Sequence, residues 1–147
     1  MPWDQEIQTV LRVVVATLLG ALVGWQRQRV HQEAGIRTFA AVAMGACVFG
    51  VIAPGDTRIA AQIVTGIGFL GAGVIMRGRS HVHGLTTAAA LWATSSIGMV
   101  IAYGRLLLGG VVAVLLLALL AIPTKKREKE RPPAAVTPPR RTSPPVS

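Results

Sequence analysis

Acidic residues are few in this chain of 147 residues. Six Asp and Glu stand against fifteen Lys and Arg, and none of the apolar segments contains a pair of carboxylates. General acid–base catalysis by paired carboxylates therefore has no candidate residues, and no Ser/His/Asp or Cys/His arrangement is recognisable. The sequence predicts a protein that is not an enzyme and that uses no cofactor.

Cysteine is represented only by Cys47, which lies in an apolar run. A single cysteine excludes a disulfide or a thiolate metal site within one chain, so we expect Cys47 to be a small packing residue. His81 and His83 stand two positions apart, but no cysteine or carboxylate beside them completes a set of metal ligands. We interpret them as part of a solvated loop and predict no metal site.

Charged residues of either sign make up only 14% of the chain, about half of the share in a soluble domain, whereas 52% of the chain is hydrophobic. That balance predicts lipid as the solvent. Buried helices of a soluble domain are the competing interpretation, but the later apolar segments carry no charged stripe at helical spacing. The formal net charge of +9 does not predict nucleic-acid binding, because much of it lies beyond Pro123 and no basic face with interleaved aromatics precedes that residue.

Apolar segments separated by polar or turn-forming residues predict an all-α, polytopic membrane helix bundle with about five transmembrane helices. Residues 1–122 are expected to form this transmembrane domain. Residues 123–147 are rich in proline and basic residues and poor in apolar ones, which predicts a disordered tail. The segments run from about Ile7 to Trp25, Thr38 to Ala53, Ile59 to Met76, Leu85 to Tyr103 and Leu106 to Ile122.

The basic residues are divided unequally between the two ends of these segments. Twelve lie in the loops after the first and third segments and in the tail, whereas the loops after the second and fourth hold only Arg58 and Arg105. The positive-inside rule therefore predicts an N-terminus outside the cell and a cytoplasmic tail. This orientation needs an odd number of spans, which agrees with five.

The third segment contains Gly66-Ile67-Gly68-Phe69-Leu70-Gly71, a literal match to the dinucleotide-binding pattern GxGxxG. That pattern needs a preceding strand and an acidic residue ~20 positions later, and this apolar segment provides neither. We instead predict that Gly66, Gly68, Gly71 and Gly73 allow neighbouring helices to approach closely, as the Gly20 and Gly24 pair would in the first segment. The alternative is that the glycines break the helix and expose backbone carbonyls to an ion or solute.

Arg12 is a cation inside the first apolar segment, near its predicted outer end. Asp56 lies in a loop on the same predicted side, so the two residues could form an ion pair. The alternative is that Arg12 extends its guanidinium to the membrane interface without a partner. The uncharged polar residues of the segments are interpreted as hydrogen-bonding links between helices: Gln62, Thr65, Thr86, Thr87, Thr94, Ser95 and Ser96.

The order of several motifs resembles the MgtC/SapB family of bacterial inner-membrane proteins. Arg12 and the Gly24-x-x-Arg27 pattern fit the family, although the family typically has Glu where this chain has Gln26. The motifs that carry the resemblance are Ala34–Thr38 around Arg37, Asp56–Gln62 around Arg58, Gly66–Ile75, and Gly84–Ala89 with Thr86 and Thr87, followed by Leu91–Ala93 around Trp92.

This resemblance implies a multi-pass protein of the bacterial plasma membrane, linked to adaptation to magnesium limitation, acid or host stress. Some family members are similar to regulators that bind other membrane proteins, including ATP synthase, rather than to transporters. Two functions are therefore expected: a non-enzymatic regulator that packs against a membrane partner, or a small transporter or channel for a cation or solute. The protein is expected to lie in the lipid bilayer, and both a monomer and a homo-oligomer agree with the sequence.

Overall fold

The computed structural model describes residues 2–77 and 82–122. This part of the chain forms five helices, α1 to α5, and one short antiparallel pair of strands, β1 and β2. The helices are α1 (Pro2–Arg29), α2 (Ile36–Ile52), α3 (Thr57–Val74), α4 (Leu85–Ala102) and α5 (Leu106–Ala121); the strands are β1 (Met76–Arg77) and β2 (Val82–His83). The prediction of an all-α bundle of five hydrophobic helices is confirmed, and the predicted disordered tail lies outside the described residues.

Three of the helices, α1, α3 and α4, are long and apolar enough to cross a membrane by length and composition, while α2 and α5 are shorter apolar helices. α1 begins at Pro2 and not near Ile7, because proline suits the first position of a helix and Asp4 in the first turn favours the positive end of the helix dipole. Its 28 residues correspond to about 42 Å. The orientation of the bundle stays a prediction.

The third helix ends at Val74, two residues before its predicted end, because β1 and β2 form a hairpin between α3 and α4. Gly84 closes this connection with a φ of +82°, a left-handed conformation that favours glycine. A Cβ at this position would collide with the Val74 carbonyl oxygen. The hairpin was not predicted from the sequence.

α4 lies at the centre of the bundle and packs against α1, α2, α3 and α5. Its side chains are buried around most of the helix, including Leu91, Ile97 and Ile101. The hydrophobic core joins them to Val23 of α1 and Phe39 of α2. By contrast, α3 buries only Ile67 and Gly71, so it is the most peripheral of the three long helices.

Candidate functional site

A cavity of about 570 Å³ lies between α2, α3 and α4. Its lining is mainly apolar and includes the open side of Gly45 and Gly66. The polar residues of the lining are Thr38, Gln62 and Ser95, one from each helix. We call this space the α2–α3 groove. It is large enough for a small solute or for side chains of another molecule.

The exposed glycines of α3 do not pack as the sequence predicted. Beyond the local backbone of α3, added Cβ atoms at Gly66, Gly68 or Gly73 would meet no atom of the described residues within 4 Å, whereas one at Gly71 would lie 3.5 Å from the Ala88 Cβ. The prediction of close helix packing within the chain is therefore wrong for three of the four glycines and confirmed for Gly71. The alternative of a broken helix is also wrong, since α3 is continuous from Thr57 to Val74.

An α-helix turns by about 100° for each residue, so the side chains of α3 can be assigned to three faces of the helix. The face with Ile67 and Gly71 is buried against α4, and the face with Gln62 and Gly66 borders the α2–α3 groove. The third face points away from the rest of the bundle. It is a row of exposed small residues spaced four, three and four positions apart, which we call the small-residue face: Ala61, Thr65, Gly68 and Ala72.

Other glycines provide the close helix contacts. A Cβ at Gly20 would lie 2.6 Å from the Phe39 carbonyl oxygen, and one at Gly24 would lie 2.7 Å from the Ile36 Cα, so the Gly20 and Gly24 prediction is confirmed. An added Cβ would also be too close to a neighbour at three glycines that were not predicted from the sequence: Gly50, Gly98 and Gly109. A signal was present, because each belongs to a pair of small residues four positions apart, the pairs being Ala46/Gly50, Gly98/Ala102 and Gly109/Ala113.

Arg12 is bound to the end of α4 and not to Asp56. Its Nη1 donates a hydrogen bond of 3.1 Å to the carbonyl oxygen of Ala102, the last residue of that helix. The final carbonyls of a helix have no partner within the helix and carry its negative dipole end, so a cation is favourable there. Arg12 therefore joins α1 to the C-terminus of α4, and the predicted Arg12–Asp56 pair is wrong.

Asp56 instead serves the start of its own helix. Its carboxylate accepts a hydrogen bond of 2.8 Å from the backbone N–H of Arg58, and Oδ2 lies 3.1 Å from Arg58 Nη2. The Arg58 guanidinium, followed by its backbone N–H, lowers the pKa of Asp56 below its usual value. The sequence pointed to Asp56 and Arg58 separately, and the structure brings them together as an N-cap and an exposed ion pair.

Arg27 lies 15 positions after Arg12, which is about 22 Å farther along α1, at the opposite end of α4. Its residue surface is only 5% exposed. Nη2 is 3.4 Å from the Thr87 hydroxyl oxygen, which is in turn 3.4 Å from Gln32 Oε1. The Nε atom of Arg27 and the Oε1 atom of Gln26 are buried and have no hydrogen-bond partner among the described residues. This group of Arg27, Gln26, Gln32 and Thr87 is called the Arg27 cluster below.

The remaining predicted site residues lie apart from these sites or on the surface. Arg37 is exposed in the first turn of α2, Thr86 is exposed in the first turn of α4, and Trp92 is 51% exposed on α4. The hydroxyls of Thr94, Ser95 and Ser96 bond to carbonyls of α4 itself, as Thr65 does in α3, so these bonds do not join helices as predicted.

His81 and His83 belong to the α3–α4 connection, for which the sequence predicts no metal site. His81 lies outside the described residues. Within residues 2–77 and 82–122, no group of three or more His, Cys, Asp or Glu side chains is placed to hold a metal ion. Cys47 is fully buried against the core, in the packing position that the sequence predicted.

The MgtC family model matches residues 13–129 of the chain. Protein MgtC of Salmonella typhimurium is 52% identical over 103 residues, which cover 65% of this chain and 44% of that protein. Protein MgtC of Brucella abortus is 46% identical over 110 residues, which cover 71% of this chain and 46% of that protein. The chain thus spans less than half of the length of these curated relatives. No solved structure matches it.

Proposed function

Because the chain belongs to the MgtC family, we propose that it is a non-enzymatic, multi-pass protein of the bacterial inner membrane that regulates other membrane proteins. In this proposal it acts during magnesium limitation, acid stress or host stress. Its helices recognise a helix of a partner within the bilayer, and ATP synthase is one candidate partner. The protein itself catalyses no reaction.

The small-residue face of α3 is the observation that supports this proposal most directly. In lipid there is no hydrophobic driving force between helices, so stable pairs depend on close van der Waals contact, which small residues permit. Ala61, Thr65, Gly68 and Ala72 are exposed in the described structure, and an added Cβ at Gly68 would contact nothing. A partner helix could therefore approach the α3 backbone along about 16 Å, the length of eleven helical steps.

The test compares two glycines that are both open. Gly68 is on the small-residue face, whereas Gly110 is on α5, and a Cβ at either position would meet no atom within 4 Å. The tagged protein is purified from native membranes after mild chemical cross-linking. A stoichiometric membrane partner should accompany the wild type and Gly110→Leu, but Gly68→Leu should lose it because a leucine prevents close approach. Equal recovery with both variants would contradict the proposal.

Transport of a cation or solute is the second candidate function, and the α2–α3 groove favours it. Thr38, Gln62 and Ser95 give this mainly apolar space three polar groups, a combination that can orient a small ligand. Reconstitution into liposomes with an ion-flux measurement separates the two functions. Specific flux that is lost in Gln62→Ala or Asp56→Ala would favour transport over regulation.

A further inference from the structure

The Arg27 cluster is electrostatically incomplete. A charged side chain is costly to bury unless a partner of opposite charge or several hydrogen bonds compensate for lost hydration. Arg27 is 5% exposed, its hydrogen bond to Thr87 is long at 3.4 Å, and its Nε has no hydrogen-bond partner in the part of the chain that the structure describes. Among residues 2–77 and 82–122, no carboxylate oxygen lies within 4.0 Å of its guanidinium nitrogens.

The surroundings of Arg27 add further positive potential. Thr87 is the third residue of α4, so the guanidinium is next to the positive end of that helix dipole. The N-cap residue, Gly84, provides no side-chain hydrogen bond to the first turn. Amide N–H groups of this turn therefore need an acceptor from outside the helix. A cation beside an uncapped helix N-terminus is unfavourable alone, but both groups bind an anion favourably.

The start of α4, beside the buried Arg27 cluster, lies at the surface of the bundle. Leu85 and Thr86, the first two residues of α4, are exposed, so the first turn of the helix is at the surface. α2 also begins here; Gly35 provides no side-chain cap, and the first amide of α2, that of Ile36, donates a hydrogen bond of 3.5 Å to Gln28 Oε1. The α1–α2 loop reaches Thr87 through Gln32. The distribution of basic residues predicts that this end faces the cytoplasm, where the leaflet carries anionic lipids.

We propose that Arg27 and the first turn of α4 form a phosphate-binding site. The planar guanidinium can donate through Nε and a terminal nitrogen to two phosphate oxygens, as arginine commonly does. The first-turn amides of α4 would donate to the remaining oxygens. Both a phospholipid headgroup and free phosphate present this chemistry, and the experiment distinguishes them. The site is separate from the small-residue face of α3 and does not depend on the regulatory function.

The experiment measures thermal unfolding of the purified full-length chain in an uncharged detergent. Phosphatidylglycerol is compared with phosphatidylcholine at equal mole fraction, and sodium phosphate is compared with sodium chloride at equal ionic strength. A ligand that binds only the folded protein raises the unfolding midpoint. We expect a rise of several degrees with one or both phosphate sources. A rise with phosphatidylglycerol alone identifies a lipid headgroup, and a rise with inorganic phosphate identifies a soluble anion.

Variants assign the effect to the cluster. Arg27→Gln should lose the rise, yet without phosphate it should be at least as stable as the wild type, because it no longer buries an uncompensated charge. Arg29→Gln is the matched control: Arg29 is an exposed cation on the same helix turn, stacked 3.8 Å above the Trp25 ring, and its loss should leave the rise intact. If Arg27→Gln does not fold, Thr87→Val is used instead. This variant removes the hydroxyl that accepts the hydrogen bond of the guanidinium, so phosphate should raise its unfolding midpoint less than that of the wild type.

Three results would overturn the site: no rise with either phosphate source in the wild type, an equal rise in the wild type and in the folded cluster variants, or an equal loss of the rise in Arg29→Gln. The last result would show that general surface charge is responsible, and not the buried guanidinium.

Discussion

The contact between α2 and α4 should be the part of the bundle most sensitive to added volume. A Cβ at Gly98 would collide with the Ala43 carbonyl oxygen and would lie 3.0 Å from both the Ala46 Cβ and the Cys47 backbone nitrogen. Two of these three atoms belong to the backbone, so they cannot move away by a side-chain rotation. Overpacking typically costs about 1–3 kcal/mol, and a collision with backbone atoms places Gly98→Ala near the upper value. Replacing a helical glycine by alanine offsets about 1 kcal/mol of this cost. We therefore expect Gly98→Ala to be less stable by about 2 kcal/mol.

The same site contains its own reporter. Cys47 is the single cysteine of the chain and is fully buried beside Gly98, so a thiol-reactive fluorescent dye should label it only when the helices separate. In detergent, Gly98→Ala should lower the midpoint of labelling by about 4–8 °C, from about 2–4 °C for each kcal/mol. Gly110→Ala is the matched control, because its Cβ would meet no atom within 4 Å and should leave the midpoint unchanged or slightly raised. If Gly98→Ala unfolds at or above the midpoint of Gly110→Ala, the contact between α2 and α4 has room for the added methyl group, contrary to this prediction.

Two further predictions concern the charged residues at the helix ends. Arg12→Ala should lower the free energy of unfolding by about 1.5–3 kcal/mol, because it removes the charged donor to the Ala102 carbonyl, whereas Arg12→Lys should keep part of that stability in the same labelling assay. Asp56→Asn should keep an N-cap but lose the ion pair with Arg58. Above the usual aspartate pKa of ~3.9, this variant should therefore show its full loss of stability relative to the wild type. The difference in stability should disappear as the pH falls through the lowered pKa of Asp56, because the wild-type carboxylate is then protonated. Losses in an Arg12→Ala, Asp56→Ala double variant should add, since the two side chains share no contact, and a strong departure from additivity would restore the ion pair that the sequence suggested.

The helices could be predicted from the sequence because long apolar runs are interrupted by strong breaking signals. Pro54 and Gly55 separate α2 from α3, and the polar run after Trp25 precedes the end of α1. The hairpin of β1 and β2 could not be predicted in the same way, since strands of two residues have no detectable periodicity. Helix ends were misplaced where local capping decides them, as at Pro2.

The roles of individual residues were harder to predict, because they depend on which helix faces which. A cluster of glycines in the sequence suggests close helix packing, yet the cluster on α3 is mostly exposed. By contrast, Gly98, which is not part of a glycine cluster, lies where α4 approaches the α2 backbone too closely for a Cβ. Arg12 was expected to pair with a carboxylate, but a helix C-terminus is an equally suitable partner for a cation. The sequence does not reveal which helix end lies beside Arg12. Arg27 was noticed as part of a motif, and only the structure shows that its guanidinium is buried and incompletely paired.

We propose above that α3 presents its small-residue face to another membrane protein. It is tested most directly by placing a photoreactive amino acid at position 68 or at position 110 and illuminating native membranes. Both positions are glycines with open space, so the comparison isolates the helix face. Position 68 should give a discrete adduct with a different membrane protein that position 110 does not give. Lipid adducts alone at both positions, or the same protein adduct from both, would contradict the account.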